Sequence, residues 1–570
     1  MRKFTKTLIT GVLAVATSFT AVNCAGRAGS TDVPEENVDT SKTQLYVWNY
    51  NGGYGTDWLY KAKERFEELQ KDVVYEDGTI GCQIRITGEK PGSPERSAAD
   101  VRNSKFELYF TEGQDYYKLF LGDGNGDAIG DITEAVTTPN QFEKEGNATV
   151  MSKLTAQQQE YYTIGGKVYG IPHYQGNFGF IYNIDLFNQK KLYFAEGYEN
   201  VEDKDIDEKF LGRGRDKKSA GPDGIKGTYD DGLPVTYADF FTLLKYIKSF
   251  GTSIKPITWT GKYREQYINL TFNAAAADVD GAEQHKLKYD MSGTATTLGT
   301  LDADGNFVKD AAPTVINDEN AYELARQEGT YQAIQLFGEI FGDEKNYDGM
   351  FARNSSDENT AAQLRFIRGQ AAILMEGVWW EGESEQANNF AAVSKKREEC
   401  NFGLMPMPKP EGHVGEKNTV VDVMDALCFT KAGLSAGKKK LACDFIKFVY
   451  SDPELVAFTK NTNALKAVNY VISEEDQRDL TTFGKILYKY VHDSDVVYEY
   501  STNPLYYNNA SSLRGRAYYQ GDVAGLDTSG SLAPHQYLLD MKKTGKSDLS
   551  AYFSGIAAHW QKGWDNLNKG

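Results

Sequence analysis

Gln44-Leu-Tyr-Val-Trp48 alternates as a strand does, Asn49-Tyr-Asn-Gly-Gly-Tyr-Gly55 turns, and from Asp57 the apolar residues Leu59, Ala62, Phe66 and Leu69 recur at helical spacing. The pattern repeats with a strand at Ile84-Arg-Ile86, another at Phe106-Glu-Leu-Tyr-Phe110, the loop Thr111-Glu-Gly-Gln-Asp115 and a helix from Tyr116 to Leu121. Strand, loop and helix in succession predict a parallel sheet wound by helices, with ligands bound where the loops gather beyond the carboxyl ends of the strands. The run from Gly166 to Asn183 reads as a hairpin leading into an extended segment broken at Pro172. A second series then opens at Phe180-Ile-Tyr182 and continues through a helix at Tyr237 to Phe250 and a strand and loop at Ile254 to Thr260. Glu202 to Leu233 and Ala282 to Thr314 are polar excursions, the latter predicted to be a small β unit. The pattern restarts after Arg368 with the strand Ala371-Ala-Ile-Leu-Met375, and Lys438 to Tyr450 predicts an amphipathic helix with Asp452-Pro453 as its stop. At 570 residues the chain is too long for one core, so two or three domains are expected.

A net charge of −18 repels phosphate backbones and anionic lipid surfaces, which argues against nucleic acid as a partner. Tyrosine, at 36, outnumbers phenylalanine, and a phenol ring suits half-wet surfaces that recognise polar ligands. Arg2, Lys3 and Lys6 precede the apolar run Leu8 to Ala16, and small residues follow up to Cys24. That pattern is a signal peptide, too short for a spanning helix. Cys24 stands where a lipoprotein signal places its lipid-accepting cysteine, although Asn23 and Ala21 depart from that motif; Ala25 to Asp39 reads as a flexible tether. Cys82, Cys400, Cys428 and Cys443 form no paired spacing, so neither a zinc site nor a disulfide is predicted.

Three stretches in order carry a resemblance: the strand, loop and helix over 44–69, Gly166-Lys-Val-Tyr-Gly-Ile-Pro172 running on to Phe180-Ile-Tyr-Asn183, and Phe366-Ile-Arg-Gly-Gln-Ala-Ala-Ile-Leu-Met-Glu-Gly-Val-Trp-Trp380. Together they are similar to the maltose-binding-protein-like extracellular solute-binding proteins of ABC sugar importers, especially the lipid-anchored ones of Gram-positive bacteria. The resemblance runs along nearly the whole mature chain. It implies an α/β, two-lobed periplasmic-binding-protein-like fold of class II, each lobe a mixed sheet flanked by helices, with the ligand cleft between lobes. It places a signal peptide and tether at 1–43, an N-terminal lobe at 44–170 plus 369–430 and a C-terminal lobe at 171–368 plus 431–570. It further implies a receptor on the outer face of the cytoplasmic membrane that hands a neutral oligosaccharide to permease subunits, needs no cofactor and makes no bond. The rival classes are a surface glycan-tethering protein without an importer and a glycoside-processing enzyme. The latter needs two carboxylates at a fixed separation, and the sequence shows no nucleophile elbow, phosphate loop or zinc-ligand helix.

A pyranose ring stacks its C–H face on an aromatic ring while its hydroxyls seek convergent donors and acceptors. In the family, the tryptophan two residues after the glycine of the third motif stacks on ligand, which makes Trp379 the leading candidate. Its neighbour Trp380 points the other way on extended chain and is expected beneath the loop. Asn51 and Tyr54 lie in the loop that matches the family's first contacting loop, where Gly52 and Gly53 replace a charged pair of the maltose-binding protein itself. Glu112 and Gln114 lie in the loop that matches a second one. Tyr174 and Gln175 are preferred over His173 at the crossing near Ile171 to Gly176. Trp259 is a candidate opposing wall, with core packing as its rival; Asp422, or Asp425, and Asn463 complete the set, with helix capping as the rival for Asn463. The loop Gly221 to Gly232 spaces Asp223, Asp230 and Asp231 somewhat as a calcium loop does, and Gly122 to Asp127 less so; neither carries the terminal bidentate glutamate, and a solvated Asp/Gly turn competes.

Overall fold

The computed structural model describes residues 38–87, 97–112, 116–121, 128–144, 146–353, 360–424, 426–509, 534–540 and 548–567. Cys24, Gln114, Asp425, Gly122 to Asp127 and the pair Tyr518-Tyr519 lie outside them. The strands that build the site are, in chain order, β1 (Thr43–Asn49), β2 (Cys82–Thr87), β3 (Leu108–Phe110), β4 (Gly170–Pro172), β5 (Phe178–Asn183), β6 (Lys255–Thr258), β7 (Ala371–Gly377), β8 (Phe402–Met405), β9 (Thr419–Asp422), β10 (Leu427–Thr430) and β11 (Asp495–Tyr498). They form two principal sheets, ordered β2-β1-β3-β10-β4 and β8-β5-β7-β6, and a parallel ribbon of β9 with β11. Both sheets are mixed: β1 runs parallel to β2 and β3 while β10 opposes β3 and β4, and β7 runs parallel to β6 but opposes β5.

The first sheet is covered by α1 (Asp57–Leu69), whose buried face is Trp58, Leu59, Ala62 and Phe66. Leu69, at the end of the apolar stripe, is 61% exposed because the helix outruns the sheet there. Helices flanking the second sheet include α2 (Arg264–Asp280), α3 (Thr360–Ile367) and α4 (Trp380–Gln386). The helices α5 (Ala436–Val449) and α6 (Asp452–Thr462) return to the first lobe, where Phe445 packs edge-on against Phe66 at 5.0 Å. Asp452-Pro453 is thus a start as much as a stop: Pro453 sits in the first turn of α6, where its missing N–H costs nothing. The polar stretch after Ala282 folds as two short helices and then two antiparallel ribbons, Gly293–Ala295 with Thr314–Ile316 and Gly299–Leu301 with Phe307–Lys309.

Two expected lobe boundaries are corrected. Strand β7 does not restart the first lobe; it lies inside the second sheet, with Leu374 opposite Ile181 on one side and Thr258 on the other. Strand β7 is buried on both faces and apolar from Ala371 to Met375, and nothing in such a run says which sheet receives it. The segment after 431 is likewise not second-lobe chain, since α5 and α6 share the first lobe's core. The chain passes from the first sheet to the second between Pro172 and Phe178, returns between Met405 and Leu427, and leaves again after α6, with α7 (Thr482–Asp493) packing on β8.

These passages run side by side and hydrogen-bond to one another. His173 N–H donates to Ala426 O at 2.7 Å, Gln175 N–H to Leu465 O at 3.0 Å and Val423 N–H to Gly176 O at 2.9 Å. The lobes are therefore joined by a laced band of extended chain, the geometry of a hinge. Cys82, Cys400, Cys428 and Cys443 are free thiols. Among the described residues no helix is long and apolar enough to cross a membrane.

Candidate functional site

The loops after β1, β3 and β7 meet beside the hinge. After β1 the chain turns tightly, Gly55 N–H donating to Gly52 O at 2.9 Å with Gly55 at φ +68°, a conformation that a side chain would strain. This turn presents Tyr54, whose hydroxyl donates to Gln175 O at 3.3 Å and whose ring stands edge-on to Tyr174 at 4.7 Å. Tyr174 in turn donates its hydroxyl to Glu112, two residues beyond β3, at 2.5 Å. A Cβ on Gly52 would lie 2.4 Å from the Glu112 carboxylate and 2.7 Å from the Tyr50 ring, so only glycine lets the loop pass. Burial and the nearby Glu112 carboxylate hold the Tyr54 and Tyr174 phenols well above their ordinary range, and both stay neutral donors.

The second lobe supplies the facing wall. Trp379 leaves the end of β7 and folds its indole back over Gly377, where any Cβ would sit 2.4 Å from the ring. It meets Phe178 edge-on at 5.1 Å; Phe178 meets Tyr267 of α2 at the same distance, and Tyr263 stacks on Tyr267 at 6.0 Å. The walls touch. A Cβ on Gly53 would lie 2.7 Å from Trp379 Cβ, and the Gln386 side-chain amide of α4 donates to Gly53 O at 3.0 Å and Gly52 O at 3.3 Å. Gly52 and Gly53 thus leave the room that Glu112 and Trp379 occupy against this turn.

The predicted residues divide. Tyr54, Glu112, Tyr174 and Trp379 converge here, and Asn51 sits half-buried in the same turn. Gln175 contributes its backbone to the hinge, its N–H donating to Leu465 O and its carbonyl accepting from the Tyr54 hydroxyl, and it is buried. Asp422 ties the hinge rather than lining an open wall, its Oδ1 accepting from Gly176 N–H and Met424 N–H, each at 3.1 Å. Trp259 is not an opposing wall: it is 0% exposed, packed on Phe341 and Tyr347 inside the second lobe. Asn463 is also structural, closing α6 at φ 55° while its side-chain oxygen accepts from Thr481 N–H at 2.9 Å. Trp380 is buried among Phe366, Phe402 and Phe483.

In the loop Gly221 to Gly232 the carboxylates turn inward. Asp230 accepts from Thr228 Oγ1 and Asp223 N–H, Asp231 from Gly227 N–H, and Asp223 from Ile225 N–H. These bonds build Asx turns, and among the described residues no group of three or more His, Cys, Asp or Glu side chains is placed to hold a metal ion. Sequence reasoning missed Tyr50, Gln386 and Tyr267. Tyr50 stood inside the loop already singled out, whereas Tyr267 and Gln386 lie on helices with no motif to mark them.

Two mixed sheets, a laced hinge and an aromatic cleft between them define the two-lobed fold of periplasmic solute-binding proteins. Solved structures with this fold include the cyclic alpha-maltosyl-1,6-maltose binding protein from Arthrobacter globiformis, at 12% identity over 92% of this chain and 100% of that one, with a TM-score of 0.51. The apo form of RafE from Streptococcus pneumoniae is similar at 13% identity, 92% and 99% coverage and a TM-score of 0.52. A chitin oligosaccharide binding protein is similar at 13% identity, 93% and 99% coverage and a TM-score of 0.51. At these identities the likeness is one of fold, and the similar proteins are described as binding proteins. No protein-family profile and no curated protein matches the sequence.

Proposed function

We propose that this chain is a carbohydrate receptor that grips a neutral oligosaccharide between its lobes and makes no bond. The observation that carries this reading is the placement of Trp379 at the mouth of the second sheet, facing the Tyr54–Tyr174–Glu112 cluster of the first lobe. An indole offers a face for C–H stacking, and phenols and a carboxylate offer convergent partners for hydroxyls. Binding energy shifts an open–closed equilibrium toward the closed form. In this reading the closed form is what permease subunits of an ABC transporter recognise, and a lipid on Cys24 holds the receptor at the outer face of the cytoplasmic membrane. Similar structures named for a cyclic maltosyl-maltose and for chitin oligosaccharides support sugar as the ligand class. Calorimetry of the mature chain against maltotriose, raffinose, chitotriose and further neutral oligosaccharides tests it. Saturable heat from at least one intact sugar is expected; cleaved fragments in the cell, or no heat from any sugar, overturn it.

A further inference from the structure

Beyond β11 the chain touches both lobes within a few residues. Tyr500 is buried in the first lobe's core, its ring stacked on Tyr161 at 4.0 Å and 22°. Past Ser501 and Thr502, the Asn503 side-chain amide donates to Asp290 O at 3.2 Å and Asp318 Oδ1 at 2.8 Å, both in the polar stretch that folds onto the second lobe. Asn503 Oδ1 accepts from Leu505 N–H at 2.8 Å and starts a short helix, α8 (Pro504–Asn508), with Pro504 in its first turn. Tyr506 of α8 enters the second lobe's core and meets Tyr289 edge-on at 5.7 Å. Its neighbour Tyr507 points about 100° further round the helix and crosses back to the first lobe, where it stacks on Tyr117 at 5.2 Å and 20°. Tyr117 is held there by Tyr161, whose ring lies 5.3 Å away.

We infer that Tyr507 and Tyr117 are a latch between the lobes: their stack forms as the cleft closes, parts as it opens, and so sets the open–closed equilibrium without touching the guest. This rests on the reading of the protein as a receptor that closes on its ligand. Asn503, Leu505 and Tyr506 fasten α8 to the second lobe, so Tyr507 moves with that lobe while Tyr117 stays with the first. The hinge is laced by backbone hydrogen bonds that a rotation of the lobes carries along. The Tyr507–Tyr117 contact is instead made by ring faces, whose attraction fades steeply once a gap of an ångström or so opens. A small rotation about Ser501 and Thr502 is enough to break it. Both rings are half-buried, so water reaches them readily when they part. In the closed form, with Gly53 against Trp379, the facing surfaces of the two phenols cover each other and not a pyranose, which separates this pair from the Trp379 platform.

Calorimetry, stopped-flow binding and small-angle scattering on Tyr507→Ala, Tyr117→Ala, the double variant and Tyr507→Phe test the latch. Either alanine is expected to weaken sugar binding about three- to tenfold, and the double variant no more than either alone. Tyr507→Phe, which keeps the ring, should bind as wild type does. Because the stack exists only in the closed form, the loss should fall on the dissociation rate with association unchanged, and should be the same for every sugar that binds. Tyr117→Ala breaks the contact from the other lobe and decides the matter if Tyr507→Ala does not fold. Two single losses that multiply in the double variant, or a loss that varies with the length of the sugar, overturn the latch while leaving the sugar reading intact. If no sugar binds wild type, the sugar reading fails on that result alone, and the latch is read from scattering of the ligand-free chains. A larger radius of gyration in both alanine variants than in wild type supports it there, and equal radii overturn it.

Discussion

Lys466 Nζ lies 2.7 Å from His173 Nδ1 in the hinge, enclosed by the rings of Trp58, Phe458, Tyr450 and Phe110 at 4.5, 4.7, 4.9 and 5.6 Å. The two residues come from different passages of the laced band, since Tyr174 bridges to Lys466. Burial pulls the lysine down to about 7, and burial followed by the lysine's charge drives His173 well below its ordinary value. The contact joins two passages of the hinge through one Lys466–His173 hydrogen bond inside a cage of four aromatic rings.

That arrangement makes stability depend on pH with a definite sign. Between about 7 and the unfolded lysine value, the unfolded chain holds a proton that the folded chain lacks, so stability rises with pH. The slope approaches roughly 1.4 kcal/mol per pH unit at most. His173 acts in the same direction below its unfolded value near 6.5, where folding requires it neutral. Urea unfolding of wild type and Lys466→Met from pH 6 to 9 checks this: the stability of wild type minus that of the variant should rise with pH above about 7, and a constant difference contradicts a buried titrating amine.

The adjacent tryptophans should separate cleanly. Trp379→Ala is expected to weaken sugar binding by about 1–3 kcal/mol while leaving the melting temperature nearly unchanged. Trp380→Ala removes an indole packed on three phenylalanines and should cost about 3–5 kcal/mol of folding stability. Calorimetry and thermal unfolding on both variants distinguish the roles.

Gly53→Ala tests the closed contact without touching a polar group. Gly53 is not in the left-handed region, so alanine fits its backbone, yet its Cβ would meet Trp379 at 2.7 Å. The variant should fold normally, show a larger radius of gyration in the presence of sugar than wild type, and bind more weakly. A fully compact, tight-binding Gly53→Ala would mean that this contact does not form in solution.

The inward-turned aspartates give a prediction for the loop around Asp230. Burial lifts the Asp230 carboxyl to about 6 against the opposing pull of the Thr228 hydroxyl and the Asp223 N–H. A melting temperature equal in calcium and in chelator is expected; a calcium-dependent rise that Asp230→Asn abolishes would restore the loop as an ion site.

Local features of this chain were legible, and long-range ones were not. The β1–turn–α1 unit could be found because strand alternation and helical spacing are encoded in neighbouring residues, as was the place of Trp379 just past a strand. The sheet that would receive β7 was not, because its partners Ile181 and Thr258 are far away in sequence. Trp259 shows the same limit at one position: a strand end looks alike whether Phe341 and Tyr347 cover it or solvent does. The tyrosine count also misled in part. Tyr109, Tyr116, Tyr162, Tyr182 and Tyr450 are fully buried, with Tyr116 donating to Tyr162 O at 3.0 Å; phenols here fill the core as well as the cleft.

The central claim is that a sugar draws the two lobes together across the contact of Gly53 with Trp379. Small-angle scattering of the mature chain, with and without the oligosaccharide that binds most tightly in calorimetry, tests it most directly. A smaller radius of gyration on saturation, absent in Trp379→Ala at the same sugar concentration, is the predicted result. Superimposable profiles for a sugar that demonstrably binds would contradict closure, and with it the account of how this cleft holds its guest.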